Sequence, residues 1–183
     1  MRRVEVRLSG EGGQGIILAG IILAEAAAIY DGANAVQTQS YGPESRGGAS
    51  KAEVIIAEGE IDYPKGEKPD VLLAMNQEAY DKYGSSLKEG GVVIIDSTHV
   101  TLGNSGSRDP DDTSRVFSSP ITGLARDLGR EIVANIVALG YLTAVTGVVS
   151  RESLEKAVLA RVPKGTEDLN RRALAAGFAA ASA

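Results

Sequence analysis

The sequence predicts an α/β fold: a three-layer sandwich with a mainly parallel sheet, an antiparallel hairpin and a C-terminal helical segment. Short strand-like runs alternate with helical runs, which is typical of a parallel sheet covered by helices. The runs Val71–Ala74 and Val92–Asp96 are almost continuously apolar, as expected for strands buried on both faces of a sheet. A length of 183 residues favours one domain, residues 1–183.

Composition narrows the classes of protein to which the chain can belong. It has no Cys, which excludes a disulfide, a Cys-ligated zinc and an iron–sulfur cluster held by this chain. The net charge of −5 argues against a nucleic-acid partner. The N-terminus shows no signal peptide, and the longest apolar run, residues 16–24, is too short to span a membrane. We therefore expect a soluble, cytoplasmic protein.

The first element is a strand, glycine turn and helix. Val4, Val6 and Leu8 alternate with charged residues, and a long apolar helical run follows the glycines as far as Tyr30. Residues 33–39 and 49–57 read as the next two strands. Glu58-Gly59-Glu60 resembles a hairpin turn, so the pattern predicts that residues 61–63 pair antiparallel with residues 49–57.

The second half of the chain reads as shorter units with recognisable helix caps. Asn76 is predicted to cap a helix that ends near Tyr83, and a long polar loop occupies residues 101–115. Asp96 lies at the carboxyl end of its strand, the edge at which open α/β sheets bind ligands. The remaining predicted elements are a strand at 115–118, a helix at 120–128, and two helices capped by Ser150 and Thr166.

Residues 131–145 predict a helix that is apolar nearly all round. Such a helix requires burial on most of its surface. The sequence leaves two interpretations open, a subunit interface and a tightly covered core helix.

Gly10, Gly12 and Gly15 have the G-x-G-x-x-G spacing of a dinucleotide fingerprint. NAD binding further requires an acidic residue at the end of the second strand, but that strand ends Gln37-Thr38-Gln39-Ser40. Asp31 precedes the strand, and Arg46, the first base that could serve NADP, comes several residues after it. The end of the second strand therefore argues against NAD(P) as the ligand; the glycines suit either another anion or close packing of the chain.

A second glycine-rich loop, Tyr41-Gly42-Pro43-Glu44-Ser45-Arg46-Gly47-Gly48, leaves the second strand. In a parallel sheet it would leave at the same edge as the first glycine turn, so the two can converge. The Arg46 guanidinium suits a carboxylate or phosphate, and the alternative is an ion pair with Glu44. His99 is the only histidine, and no G-x-S-x-G motif accompanies it. The chain reads as a scaffold that completes a site without a nucleophile or redox centre of its own.

The two glycine loops together closely resemble the gamma subunit of the 2-oxoacid:ferredoxin oxidoreductases. The similarity continues through Asp70–Ala74, Asn76–Tyr80, Asn135–Gly140, Arg161–Thr166 and Asn170, and so covers nearly the whole chain. The Gln-Ser-Tyr-Gly-Pro-Glu form of the second loop is most similar to the 2-oxoglutarate members. Pyruvate, 2-oxoisovalerate and indolepyruvate enzymes remain alternatives. The polar insert at residues 103–114 is longer and more acidic than the family pattern.

The resemblance implies a Rossmann-like subunit of an enzyme that decarboxylates a 2-oxoacid to an acyl-CoA and passes electrons to ferredoxin. Thiamine diphosphate, Mg²⁺, an iron–sulfur cluster and coenzyme A are expected in the assembled complex, and none is expected on this chain alone. The expected partners are alpha, beta and ferredoxin-like delta subunits and ferredoxin itself; a homo-oligomer of the isolated chain is also compatible with the sequence.

The resemblance also suggests which residues face the active-site cleft or the entrance for coenzyme A. Arg46 is the candidate for contact with the substrate carboxylate or an anionic cofactor group, and no metal ligand is expected. The candidate cofactor-binding residues are Gly10, Gly12, Gly13, Gln14, Gly15, Tyr41, Gly47 and Gly48. Two alternatives remain: a free-standing NAD(P)-binding oxidoreductase domain, and a non-catalytic nucleotide- or coenzyme A-binding module.

Overall fold

A computed structural model describes residues 3–40, 49–62, 68–103 and 113–182. The strands are β1 (Arg3–Glu11), β2 (Asn34–Ser40), β3 (Ala49–Ala57), β4 (Val71–Ala74), β5 (Val92–Asp96) and β6 (Arg115–Ser119). The helices are α1 (Ile16–Glu25), α2 (Gln77–Tyr83), α3 (Ile121–Asp127), α4 (Ala134–Thr146), α5 (Arg151–Arg161) and α6 (Glu167–Ala180). A π-helical turn, Ala26–Tyr30, extends α1, and a 3₁₀ turn, Glu131–Val133, precedes α4.

The strands form one six-stranded sheet in the order β2-β3-β1-β4-β5-β6. Strand β3 runs antiparallel to both of its neighbours, β1 and β2, while β1, β4, β5 and β6 are mutually parallel. Strand β2 therefore points in the same direction as β1. The predicted mainly parallel sheet with an antiparallel hairpin is confirmed.

The predicted partner in that hairpin was wrong. Residues 61 and 62 form no strand, and Tyr63 lies outside the described residues. Strand β3 pairs instead with β2 on one side and with β1 on the other, over the whole length of β3 on the β1 side. Because both edges of β3 are occupied, the segment after Ala57 has no free edge of β3 with which to pair.

Helices cover both faces of the sheet. On one face, Val6 and Leu8 of β1 lie in the larger core with residues of α1, α3, α4, α5 and α6. On the other face, Leu72 and Ile95 pack with Tyr80 of α2 in a smaller core. The result is the predicted arrangement of three layers.

Two charged residues in the middle of β1 are also buried. Glu5 is 9% exposed and Arg7 is 6% exposed. Arg7 Nη2 lies 2.6 Å from Glu53 Oε1 on β3, and its guanidinium carbon lies 5.1 Å from the centre of the Tyr83 ring. A buried charge needs such partners, because unpaired burial costs several kcal/mol. The ion pair joins β1 to β3, and the contact of Arg7 with the Tyr83 ring joins β1 to α2.

Helix α4 is a tightly covered core helix, so the structure supports the second of the two interpretations for this helix. Residues 134–143 are all buried within the chain. The helix crosses α6 where Gly140 and Gly177 meet: a Cβ on Gly140 would lie 2.6 Å from the Leu174 carbonyl oxygen, and one on Gly177 would lie 2.7 Å from the Tyr141 nitrogen. Two glycines let the helix backbones approach closely, and α6 thereby covers α4.

Two of the three predicted helix caps are confirmed. Asn76 Oδ1 accepts a hydrogen bond from the Ala79 N–H at 2.9 Å, and the Ser150 side chain accepts one from Ser153. Thr166 precedes α6 as predicted but does not cap it: its hydroxyl donates to the Pro163 carbonyl at 2.7 Å instead. Within the described ranges, every helix is too short or too polar to cross a bilayer.

The substitution Gly177→Ala should lower the free energy of unfolding by about 1–3 kcal/mol, the usual cost of overpacking. The new methyl group would meet backbone atoms of α4, including the Val137 carbonyl oxygen, which cannot move aside as a side chain can. This cost should exceed the gain of about 1 kcal/mol in helix propensity. Urea denaturation measures the difference. Gly12→Ala is the matched control, because a Cβ there meets no atom within 4 Å; equal midpoints for the two variants would contradict the prediction.

Candidate functional site

The glycine turn between β1 and α1 is closed by Gln14. The Gln14 Oε1 accepts a hydrogen bond from the Glu11 N–H at 2.7 Å, and its Nε2 donates to the Met75 carbonyl at 3.4 Å. Gly10 makes room for this side chain, since a Cβ at position 10 would collide with Gln14 Oε1. The turn is therefore pre-formed and tied to the end of β4.

Gly15 brings the start of α1 against the start of α4. Its φ of +73° favours glycine, and a Cβ there would lie 2.5 Å from Asn135 Nδ2. Asn135 Nδ2 donates a hydrogen bond to the Gly15 carbonyl at 3.3 Å. For Gly10 and Gly15, the packing interpretation of the glycines therefore applies.

Gly12 and Gly13 are different. Both are exposed, and a Cβ on either would meet no atom within 4 Å. Gly13 has a φ of +98°, which L side chains rarely adopt. These two positions leave the backbone of the turn open to a ligand or a partner chain.

A cavity of about 400 Å³ opens beside the turn. Its walls come from the turn, α1, the start of α4 and the α5–α6 connection. They are mostly apolar, with two buried amides. The lining residues are Gly13, Gly15, Leu18, Arg130, Ile132, Val133, Asn135, Ile136, Val162, Pro163, Thr166, Leu169 and Asn170.

A second cavity of about 170 Å³ adjoins the first, because Gly13 and Ile132 line both. Its other walls are Gln14, Thr122, Glu131 and Ala134, which are more polar. We call the two cavities together the glycine-turn cleft. The cleft is elongated, with an apolar end near α6 and a polar end near α3.

The charges around the cleft favour an anionic group with an apolar part. Arg130 is exposed and makes no ion pair among the described residues. At the polar end, Arg126 Nε lies 2.8 Å from Glu131 Oε2, and this hydrogen bond lowers the pKa of Glu131 below its usual value. The N-terminus of α1, which has no side-chain cap, adds a partial positive charge.

The second predicted loop cannot be described directly: Tyr41, Arg46, Gly47 and Gly48 lie outside the described residues. Its two ends are described. Ser40 pairs with Lys51 and Gly10 pairs with Ser50, so the loop begins at the same edge of the sheet as the glycine turn, one strand away. Neighbouring strands are about 4.8 Å apart, which puts the ends of β1 and β2 about 10 Å apart.

The sheet order argues against a dinucleotide site. In the dinucleotide-binding fold the second strand lies beside the first and carries the acid that binds the ribose. Here β3 lies between β1 and β2. Asp31 is also engaged elsewhere: its Oδ1 accepts from the Ser150 hydroxyl at 2.7 Å and its Oδ2 from the Ser150 N–H at 2.8 Å.

Asp96 occupies the ligand-binding edge of the sheet as predicted, but it has a structural role. It is fully buried, and its carboxylate accepts hydrogen bonds from Thr98 N–H, Thr122 N–H and the Thr122 hydroxyl. These contacts hold the start of α3 against β5. His99 is exposed nearby.

Sequence reasoning missed Arg130 and Ile132 as residues of the cleft. Ile132 is 78% exposed, the largest exposure among the large apolar side chains that the structure describes. No motif marks either residue; the one available signal was an apolar side chain in the short connection after Gly129. Asn135, Thr166 and Asn170 belonged to the recognised family segments, and the structure brings all three to the cavity wall.

Comparison with known proteins gives a consistent result. The chain matches the model of the pyruvate ferredoxin/flavodoxin oxidoreductase family over residues 5–180. The 2-oxoglutarate synthase subunit KorC of Methanocaldococcus jannaschii is 54% identical over 96% of this chain and 92% of the relative. The KorC subunit of Methanothermobacter marburgensis is 49% identical over 96% of this chain and 95% of the relative.

Two solved structures have the same fold. The gamma subunit of a keto/oxoacid ferredoxin oxidoreductase from Geobacter sulfurreducens aligns with a TM-score of 0.88 and 55% identity, over 100% of this chain and 98% of that one. The 2-oxoglutarate:ferredoxin oxidoreductase of Magnetococcus marinus, with 2-oxoglutarate, coenzyme A and succinyl-CoA bound, aligns with a TM-score of 0.83 over 100% of this chain and 31% of that one. At 24% identity, the second comparison bears on the fold alone.

The substitution Asp31→Asn should remove a pH-dependent part of the stability. Partial burial raises the pKa of Asp31, but hydrogen bonds from Ser153 and Ser150 outweigh it and lower the pKa overall. The stabilisation is therefore complete above the unfolded pKa of about 4 and is lost as the pH falls through the lower folded pKa. At neutral pH we expect a loss of about 1 kcal/mol, the usual net value of one hydrogen bond, because the Asn side chain has one acceptor oxygen where the Asp31 carboxylate uses two.

Thermal unfolding of the two proteins between about pH 2 and pH 7 tests this, because the difference in Tm should shrink below about pH 4. Asp127→Asn, at an exposed acid on α3, is the control and should show no such change. A difference between wild type and Asp31→Asn that stays constant with pH would contradict the assignment.

Proposed function

The chain belongs to the pyruvate ferredoxin/flavodoxin oxidoreductase family, and we propose that it is the gamma subunit of a multi-subunit 2-oxoglutarate:ferredoxin oxidoreductase. The observation that carries the proposal is sequence identity of about one half, over nearly the full length of both chains, to a 2-oxoglutarate synthase subunit and to the gamma subunit of a keto/oxoacid ferredoxin oxidoreductase. The complex converts a 2-oxoacid and coenzyme A to an acyl-CoA and CO₂ and passes the electrons to ferredoxin.

The residues of this chain do not fit the cofactors of such a complex. The sequence has no Cys to hold an iron–sulfur cluster. In the part of the chain that the structure describes, no group of three or more acidic or His side chains is arranged to hold a metal ion such as the Mg²⁺ of thiamine diphosphate. We place these groups in the alpha, beta and delta subunits and assign no step of their chemistry to this chain.

The role that fits the chain is to shape one wall of the site at which coenzyme A arrives. Coenzyme A combines an anionic phosphate end with a flexible arm of mixed polarity. The glycine-turn cleft offers an exposed Arg130, open backbone at Gly12 and Gly13, and an apolar end. Arg46 lies outside the described residues, but the strands that flank its loop are described: β2 ends and β3 begins at the same edge of the sheet as the glycine turn. We assign both arginines to the binding of an anionic group of coenzyme A or of the 2-oxoacid.

The structure weighs against the free-standing NAD(P) domain, because β3 separates β2 from β1 and the Asp31 carboxylate is held by Ser150 at the start of α5. Affinity capture of the native chain from its own cells, followed by mass identification of co-purifying proteins, distinguishes the remaining hypotheses. A gamma subunit should bring down larger subunits in fixed ratio. A chain that is recovered alone and binds NADH at micromolar concentration would contradict the proposal.

In the assembled complex, Arg46→Ala and Arg130→Ala should each raise KM for coenzyme A or for the 2-oxoacid by about tenfold, equivalent to a lost charge-assisted contact of about 1.4 kcal/mol. Steady-state kinetics with each substrate varied in turn identify which substrate each arginine serves. Arg115→Ala is the control, because Arg115 is exposed at the opposite end of the parallel strands, where β6 begins. If KM and kcat for both substrates were unchanged, the arginine concerned would have no role in binding either substrate.

A further inference from the structure

Strand β2 lies at one end of the sheet, and its outer edge has no partner among the described strands. The strand has seven residues, Asn34 to Ser40, and contains no charged residue, no Pro and no Gly. Natural proteins often place charged residues or Pro in an exposed edge strand to prevent it from pairing with another chain, and β2 has neither. Near the start of β2, at residues 34–36, the outer edge therefore carries backbone donors and acceptors that another strand can use.

A groove of about 370 Å³ runs along this edge. One wall is Asn34, Ala35 and Val36; the other is Glu60, Ile61 and Asp62. Side chains of successive strand residues point to opposite faces of a sheet. Because three successive residues line one groove, the groove follows the strand edge rather than a face. Asn34 Nδ2 donates to the Gly59 carbonyl at 3.0 Å, which fixes the second wall beside β2.

The charge of the groove indicates which kind of polypeptide segment it can bind. Glu60 and Asp62 are exposed, and neither makes an ion pair or hydrogen bond in the described part of the chain. No Lys or Arg is among the described residues that line the groove. Two exposed carboxylates beside a strand edge complement an extended segment that carries Lys or Arg on one face. A second copy of this chain, using its own groove segment, would instead bring the same two acids together.

We propose that the outer edge of β2, with Glu60 and Asp62, docks an extended basic segment of a partner polypeptide as a seventh strand of the sheet. Backbone hydrogen bonds along β2 supply the pairing, and the two carboxylates select the basic face of the segment. The groove lies at the start of β2, at the opposite end of that strand from the glycine-turn cleft. The proposal therefore goes beyond the role of the cleft and does not depend on it.

The test uses the full chain and a fluorescent nine-residue peptide that alternates lysine and valine, with binding measured by fluorescence anisotropy. We expect saturable binding that falls at least tenfold for the double variant Glu60→Lys, Asp62→Lys. The same double variant should gain affinity for a peptide that alternates glutamate and valine. A lysine–valine peptide N-methylated at every residue should not bind, because it has no backbone donors.

The matched control is Glu89→Lys, Asp127→Lys, which changes the net charge equally at two exposed acids away from β2. It should bind the lysine–valine peptide as the unaltered chain does. Equal weakening by the control pair, or equal binding of the N-methylated peptide, would show non-specific charge attraction and overturn the proposal. Light scattering that shows a dimer lost in the Glu60→Lys, Asp62→Lys variant would assign the groove to a second copy and would overturn it as well.

Discussion

The close approach of Gly15 to Asn135 is the contact on which the glycine-turn cleft depends. It places the start of α1 against the start of α4, because the glycine has no Cβ to hold Asn135 away. Helix α4 is in turn positioned by α6, through the backbone contact at Gly140 and Gly177. The beginning of α6 then brings Asn170 to the cavity. Two contacts made by glycines thus bring together α1, α4 and α6, which form most of the apolar end of the cleft.

The antiparallel strand β3 is the second organising feature. Inserted between β1 and β2, it separates the two glycine-rich loops by one strand and removes the neighbouring strand end that a dinucleotide's ribose requires. The same insertion moves β2 to the end of the sheet and leaves its outer edge without a partner in the described structure. One change in strand order therefore alters the ligand that the cleft can bind and creates a separate surface for a partner chain.

At the glycine-turn cleft, the described part of the chain provides shape and charge. Two of its buried charged side chains make structural contacts: Arg7 pairs with Glu53, and Asp96 holds the start of α3. The groups that remain accessible at the cleft differ from these buried side chains. They are exposed backbone at Gly12 and Gly13, an unpaired Arg130 and an exposed Ile132. Such groups can bind and orient a substrate or a neighbouring subunit, which agrees with membership of a family of multi-subunit enzymes.

The sequence by itself determined the elements whose patterns are local. The positions of β3, β4 and β5, the cap at Asn76 and the glycine turn follow from alternation, apolar runs and side chains within a few residues of one another. Tertiary structure alone decided which strand pairs with β3, because that pairing depends on which edges remain free after β1 and β2 have been placed. It also decided that helix α4 is covered by its own chain, since a helix that is apolar all round carries no information about what covers it. Arg130 and Ile132 became visible as part of a cleft only when the fold brought them beside Gly13, more than a hundred residues earlier in the chain.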